Sequence, residues 1–186
     1  MKPQEIELEK KSIYWDYVHT PEGYEVKRDK IKSSALFHFF IEQNRLSGDP
    51  TNNTYNDFKV DYMKEVDYFL ALIRERFAQK KDRGLVLNKS WCNVYYPGEM
   101  SLSRNQLKIG NLDQSPDYTL VYGIDVVKDS TNLVIEWETN RKYTLNWTMP
   151  MENNKYAIFP SGCNYYFTKN KADQINVFFG ATYTEI

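Results

Sequence analysis

The chain has 186 residues, 41% of them hydrophobic and 26% charged; this suits one soluble globular domain and excludes a disordered chain or a second full domain. A net charge of -1 excludes the strong field that gathers nucleic acid or an anionic membrane surface. Two cysteines, Cys92 and Cys163, are too few for a disulfide framework; they read either as two buried free thiols or as one bridge. The start, Met1-Lys2-Pro3-Gln4-Glu5, is charged and has no apolar h-region, so no secretory signal is expected. No apolar run reaches the ~20 residues of a membrane helix. A cytoplasmic or virion location is therefore expected.

In chain order, Ile13 to Val18 reads as a short strand or extended arm, and Thr20-Pro21-Glu22-Gly23 as a turn. A first helix is predicted from Asp29 to Asn44, with Asp29 as N-cap and a broad apolar face that includes Ile31, Leu36, Phe37 and Phe40. Leu46 to Thr54 is a polar loop. A second helix is predicted from Asn56 to Lys81, because Phe58, Tyr62, Val66, Phe69, Leu70, Ile73 and Phe77 recur at three- and four-residue spacing. Gly84 is expected to end it as a C′ glycine. From Leu85 the period changes to that of strands. These are predicted at Trp91–Tyr96, Tyr118–Val126, Asn132–Glu138, Tyr143–Trp147, Tyr156–Phe159, Tyr165–Thr168 and Gln174–Thr184, each bounded by Gly, Pro, Asn or Asp. Two helices followed by seven short strands predict an α+β fold: an antiparallel sandwich or barrel with the helices on one side. Residues 1–84 form the arm and helical support and residues 85–186 the β core of one integrated domain.

Three segments of the β half carry a resemblance. They are Ser90-Trp91-Cys92-Asn93-Val94-Tyr95-Tyr96-Pro97-Gly98-Glu99, then Tyr118-Thr119-Leu120-Val121-Tyr122-Gly123-Ile124-Asp125-Val126 with the hairpin Lys128 to Asn132 behind it, and Ala157-Ile158-Phe159-Pro160-Ser161. In order and spacing they resemble the prolyl-hydroxylase-like branch of the 2-oxoglutarate/iron(II) oxygenases. The resemblance runs from Leu85 to Tyr183 and implies a double-stranded β-helix, or jelly roll. It also implies an iron site of two histidines and one carboxylate, with open positions for 2-oxoglutarate and oxygen. This chain departs from that pattern. Its two histidines, His19 and His38, both precede the β half. The pattern falls on Arg104 and Gln106 at the first histidine and the carboxylate, on Tyr165 (or, one residue earlier, Asn164) at the distal histidine, and on Gln174 at the 2-oxoglutarate arginine. Arginine keeps its proton and cannot ligate. Neutral Gln174 cannot pair a carboxylate as arginine does. A degenerate site with no catalytic residue, metal or cofactor is expected.

Other candidates read more simply as structure. His38 sits among phenylalanines and reads as a packed or surface histidine. Asp61, Glu65 and Asp67 alternate with Lys59 and Lys64, as on a solvated helix face. Ser161-Gly162-Cys163 lacks both Gly-x-Ser-x-Gly and a neighbouring histidine. Tyr95, Tyr96, Tyr122, Trp137, Trp147, Tyr165 and Tyr166 read as core and sheet-face packing.

The function expected is a non-catalytic structural or protein-interaction protein in a larger assembly. The abundant Lys, Asn and Tyr, all with AT-rich codons, are compatible with a phage virion component of the neck, tail or baseplate. Met1 to Val18 and Leu46 to Tyr55 are the interface candidates. The alternatives are a divergent oxygenase with unusual ligands, and a small-ligand or carbohydrate-binding jelly-roll module using Tyr96, Trp137 and Tyr165 as its platform. No nucleic-acid or membrane partner is expected.

Overall fold

A computed structural model describes residues 11–19, 27–45, 64–108, 110–140 and 143–186. The loop Leu46 to Tyr55, residues 1–10 of the arm, the turn at Thr20 to Gly23, the first residues expected in helix two and Asp61 all lie outside the described residues.

Helix α1 spans Arg28–Arg45. It starts one residue before the expected cap, so Asp29 lies in the first turn, where its carboxylate faces the positive end of the helix dipole. Helix α2 is described over Lys64–Lys81, with Lys80 and Lys81 in its last turn, the complementary placement for cations. Its apolar stripe is buried as the spacing requires: Val66, Phe69, Leu70, Ile73 and Phe77 are all at most 3% exposed. The residue that turns the chain out of α2 is Asp82, at φ 56°, not Gly84. Asp82 donates its amide to the Ala78 carbonyl at 2.8 Å, while Gly84 pairs with Ile186 through two backbone hydrogen bonds of 3.0 and 3.1 Å. Asp tolerates the left-handed conformation well enough to take the position.

The strands are β1 (Tyr14–Tyr17), β2 (Leu85–Tyr95), β3 (Tyr118–Asp125), β4 (Asn132–Asn140), β5 (Tyr143–Pro150), β6 (Lys155–Pro160), β7 (Asn164–Phe167) and β8 (Asn176–Glu185). They form a five-stranded sheet in the order β1-β6-β3-β8-β2 and a three-stranded sheet in the order β5-β4-β7. Every pairing is antiparallel. Strand β2 begins six residues earlier than its composition indicates, because β8 runs on beside it from Asn176 to Glu185, with a bulge between Leu87 and Lys89.

Alternation along each strand divides the apolar residues between two cores. One face of the large sheet carries Cys92, Leu120, Tyr122, Ile158, Val177, Phe179, Ala181 and Tyr183, which pack against α1 and α2. Phe69 of α2 stacks on Tyr122 at 4.2 Å between centroids and meets Phe179 edge-on at 5.5 Å. The opposite face carries Tyr95, Val121, Ala157, Phe159 and Phe178, which meet Leu133, Ile135, Met149, Tyr165 and Phe167 of the small sheet. Cys92 and Cys163 belong to different cores; both are buried and no disulfide joins them. Burial pushes the Cys92 thiol far above its ordinary pKa. Among the described residues no helix is long and apolar enough to cross a membrane.

Candidate functional site

The order of the strands brings distant residues together at one end of the gap between the sheets. Arg104, in the irregular segment after β2, forms a β-bridge with Tyr165 of β7. The Arg104 amide donates to the Tyr165 carbonyl at 3.1 Å, and the Tyr165 amide donates back to the Arg104 carbonyl at 2.8 Å. Gln106 lies two residues on. Its Nε2 donates to the Tyr165 hydroxyl at 2.8 Å, and the Arg104 guanidinium carbon lies 5.5 Å from the centre of the Tyr165 ring. Three of the four positions singled out in the sequence therefore meet in space.

Tyr165 and Asn164 separate cleanly. Tyr165 points into the gap, is 1% exposed and meets Phe159 edge-on at 5.3 Å. Asn164 is exposed and accepts from Asn105 Nδ2 at 3.0 Å. Gln174 stands apart from the other three. It is exposed and precedes β8, two residues short of the strand start expected there, because the chain is still turning: its carbonyl accepts from Asn170 Nδ2 at 2.8 Å. The first two β8 residues on the side facing the small sheet are Asn176 and Phe178, both 0% exposed.

Tyr165 shares its core with Tyr95, Phe167 and Phe178. Phe178 stacks on Phe167 at 4.2 Å, and Tyr95 lies 5.2 Å from Phe167 and 5.9 Å from Phe178. Burial raises the Tyr95 phenol above its ordinary pKa, against the opposing pull of Arg104. On β2, Lys89 Nζ lies 5.3 Å over the Trp91 ring. Burial, with Arg104 and Lys108 adding repulsion, lowers the Lys89 amine below its ordinary pKa. Trp91 in turn donates from Nε1 to Asn93 Oδ1 at 2.9 Å and lies over Gly180, where an added Cβ would come within 2.3 Å of the indole.

An iron ion does not fit this set. A guanidinium has no lone pair to give, the Gln106 amide is directed at a phenol, and the phenol belongs to the core. Among the described residues no three His, Cys, Asp or Glu side chains gather as a metal site would require. Ser161 is no nucleophile either: it is 1% exposed and shares a hydrogen bond of 2.9 Å with Thr119 Oγ1.

A buried amide network that no sequence motif marks lies at the opposite end of the gap. Asn176 Nδ2 donates to Ser130 Oγ at 2.8 Å and to Asn170 Oδ1 at 3.0 Å, and Asn176 Oδ1 accepts from the Val127 amide at 2.9 Å. Asn170 Nδ2 reaches the Tyr95 carbonyl at 3.0 Å. The network ties the β3–β4 turn, the end of β2 and the β7–β8 turn together. A single asparagine in a sequence gives no sign of such a role.

The two-sheet topology, the Arg104–Tyr165 bridge and the helices on the outer face of the large sheet define the fold as the double-stranded β-helix of the 2-oxoglutarate/iron(II) oxygenases. The chain superposes on a viral collagen prolyl hydroxylase from Paramecium Bursaria Chlorella virus-1 with a TM-score of 0.63, at 9% identity over 98% of each chain. A Pseudomonas putida prolyl-4-hydroxylase matches with a TM-score of 0.55, at 12% identity over 92% of this chain and 85% of its own. An oxidoreductase of the 2OG-Fe(II) oxygenase family from Burkholderia pseudomallei matches with a TM-score of 0.50, at 7% identity over 66% of this chain and 59% of its own. At such identities the likeness is one of fold. No protein-family model matches the sequence, and no curated protein matches it.

Proposed function

We propose that this chain is a non-catalytic protein-interaction domain built on an oxygenase fold. The observation that carries the reading is Tyr165, a large core side chain held by Phe159 and Gln106 at the position where the resemblance calls for the distal histidine ligand. An exposed apolar segment supports the interaction role. Met100, Leu102, Leu107 and Leu112 are 57, 75, 37 and 64% exposed within one irregular stretch, a local concentration beyond scattered single residues. The partners we propose are proteins of a larger assembly, with a phage virion neck, tail or baseplate as the concrete setting.

The test is anaerobic titration of the purified chain with iron(II) and 2-oxoglutarate, read by metal analysis and thermal unfolding. No stoichiometric iron and no shift in Tm are expected. Stoichiometric iron with a stabilisation that saturates in 2-oxoglutarate would overturn the reading in favour of a divergent oxygenase, because a ligand that binds only the folded state must raise its stability.

A further inference from the structure

Three of the four tryptophans of this chain stand at one place. Strand β1 is the edge of the large sheet and β5 the edge of the small one. Trp15 pairs with Ala157 and Trp147 with Ile135; both partners belong to the core between the sheets, so the two indoles face that gap. Trp137, two residues beyond Ile135, faces it as well. Trp15, Trp137 and Trp147 line a hollow of about 350 Å³, with Trp15 and Trp147 centred 6.3 Å apart at 40°. Trp137 and Trp147 are backed by the core, so their positions are fixed by packing. Trp15 is 52% exposed.

A second hollow, of about 270 Å³, shares Lys11, Trp137 and Cys163 with the first. Its lining is polar and includes Glu136, Glu138, Asn105 and Asn164. Glu136, Glu138 and Asn164 alternate to the other side of the small sheet, and the two hollows adjoin at Trp137, where β4 runs on past the start of β7. This pairing suits a ligand that is flat and apolar on one face and ringed by hydroxyls. A cationic ligand, the other common guest of an aromatic cage, is disfavoured here. Lys155 Nζ already lies 5.5 Å over the Trp15 ring, and Lys11 stands at the junction of the hollows. A wholly apolar ligand would leave the polar half desolvated without partners.

We infer that this open edge is a saccharide-binding site. The C–H face of a pyranose ring packs on Trp137 and Trp147, Trp15 closes the outer side, and Glu136, Glu138 and the two asparagines receive the hydroxyls. The site uses neither Tyr96, just after β2, nor Tyr165, inside the core. Of the three residues named from sequence as a ligand platform, Trp137 alone belongs to it. The inference is independent of whether the barrel binds iron.

The test is binding of the full chain to an array of hexose, N-acetylhexosamine and sialylated oligosaccharides, followed by tryptophan-fluorescence titration with the oligosaccharide bound best. Saturable binding is expected, weakened about tenfold by Trp15→Ala, the loss of one stacking face, and by Glu138→Gln to a smaller degree. Both side chains lie at the surface, and an unchanged circular dichroism spectrum and Tm verify that the variants fold. Absence of binding across the array would overturn the inference, as would saccharide binding that both variants leave intact. So would a saturable fluorescence change with choline chloride and none with any saccharide, which would identify a cation cage.

Discussion

At the scale of the residue, polar side chains in this molecule have sharply different weights according to where the strands place them. Asn176 is wholly buried and holds three hydrogen bonds, so truncating it strands the Val127 amide and two side-chain partners. Asn176→Ala should cost about 1–3 kcal/mol, the penalty of buried groups left unpaired. Asn164→Ala, at an exposed position, should stay within about 0.5 kcal/mol. Urea denaturation of both variants checks this; equal stabilities would show that water satisfies the network as well as Asn176 does. The sequence displays both residues simply as asparagines. What distinguishes them is one strand's direction and one turn's path. The same holds at Arg104 and Tyr165. The resemblance implied that they should meet, but that Tyr165 rather than Asn164 faces inward follows from the register of β4 with β7, in which Ile135 opposes Tyr165.

At the scale of the element, β1 contributes more than its four residues suggest. It covers one edge of β6 through pairing from Tyr14 to Tyr17, contributes Tyr14 to an edge-on contact with Phe77 at 5.4 Å, and supplies Trp15 to the tryptophan hollow. Arg76 of α2 secures it by donating to the Tyr17 carbonyl at 2.6 Å. Removing residues 1–17 would leave the β6 edge with unpaired amides and carbonyls, a template for another strand. The truncated chain should self-associate at concentrations where the full chain does not, as read by light scattering, and should lose saccharide binding. A monodisperse truncated chain would show that β1 is dispensable for edge protection. The sequence indicated a short strand or arm at Ile13 to Val18, yet its pairing with a strand some 140 residues away was not legible, because local alternation carries no information about partners.

At the scale of the whole molecule, the helices and the large sheet share one core. Val66, Phe69, Ile73 and Phe77 close over Leu120, Tyr122, Ile158 and Phe179, so neither half has a complete interior alone. A fragment of residues 85–186 should therefore fail to reach a fixed tertiary structure. It would expose one full face of its sheet, bind a hydrophobic dye and show poor dispersion in NMR spectra, as loosely packed states do. A fragment with native-like dispersion and cooperative unfolding would show instead that the β core is autonomous.

By itself the sequence determined the division into helical and β halves, the apolar stripe of α2, the strand positions to within a few residues except at the start of β2, and the missing histidines. Each of these follows from residue type and short-range periodicity. Only the tertiary structure decided which strands pair, which end of each strand runs long, that Asp82 rather than Gly84 ends α2, and that Gln174 lies outside the site. It also decided that Trp15, Trp137 and Trp147 share one hollow. Those outcomes depend on contacts between residues far apart in the chain, where burial and register override local preference.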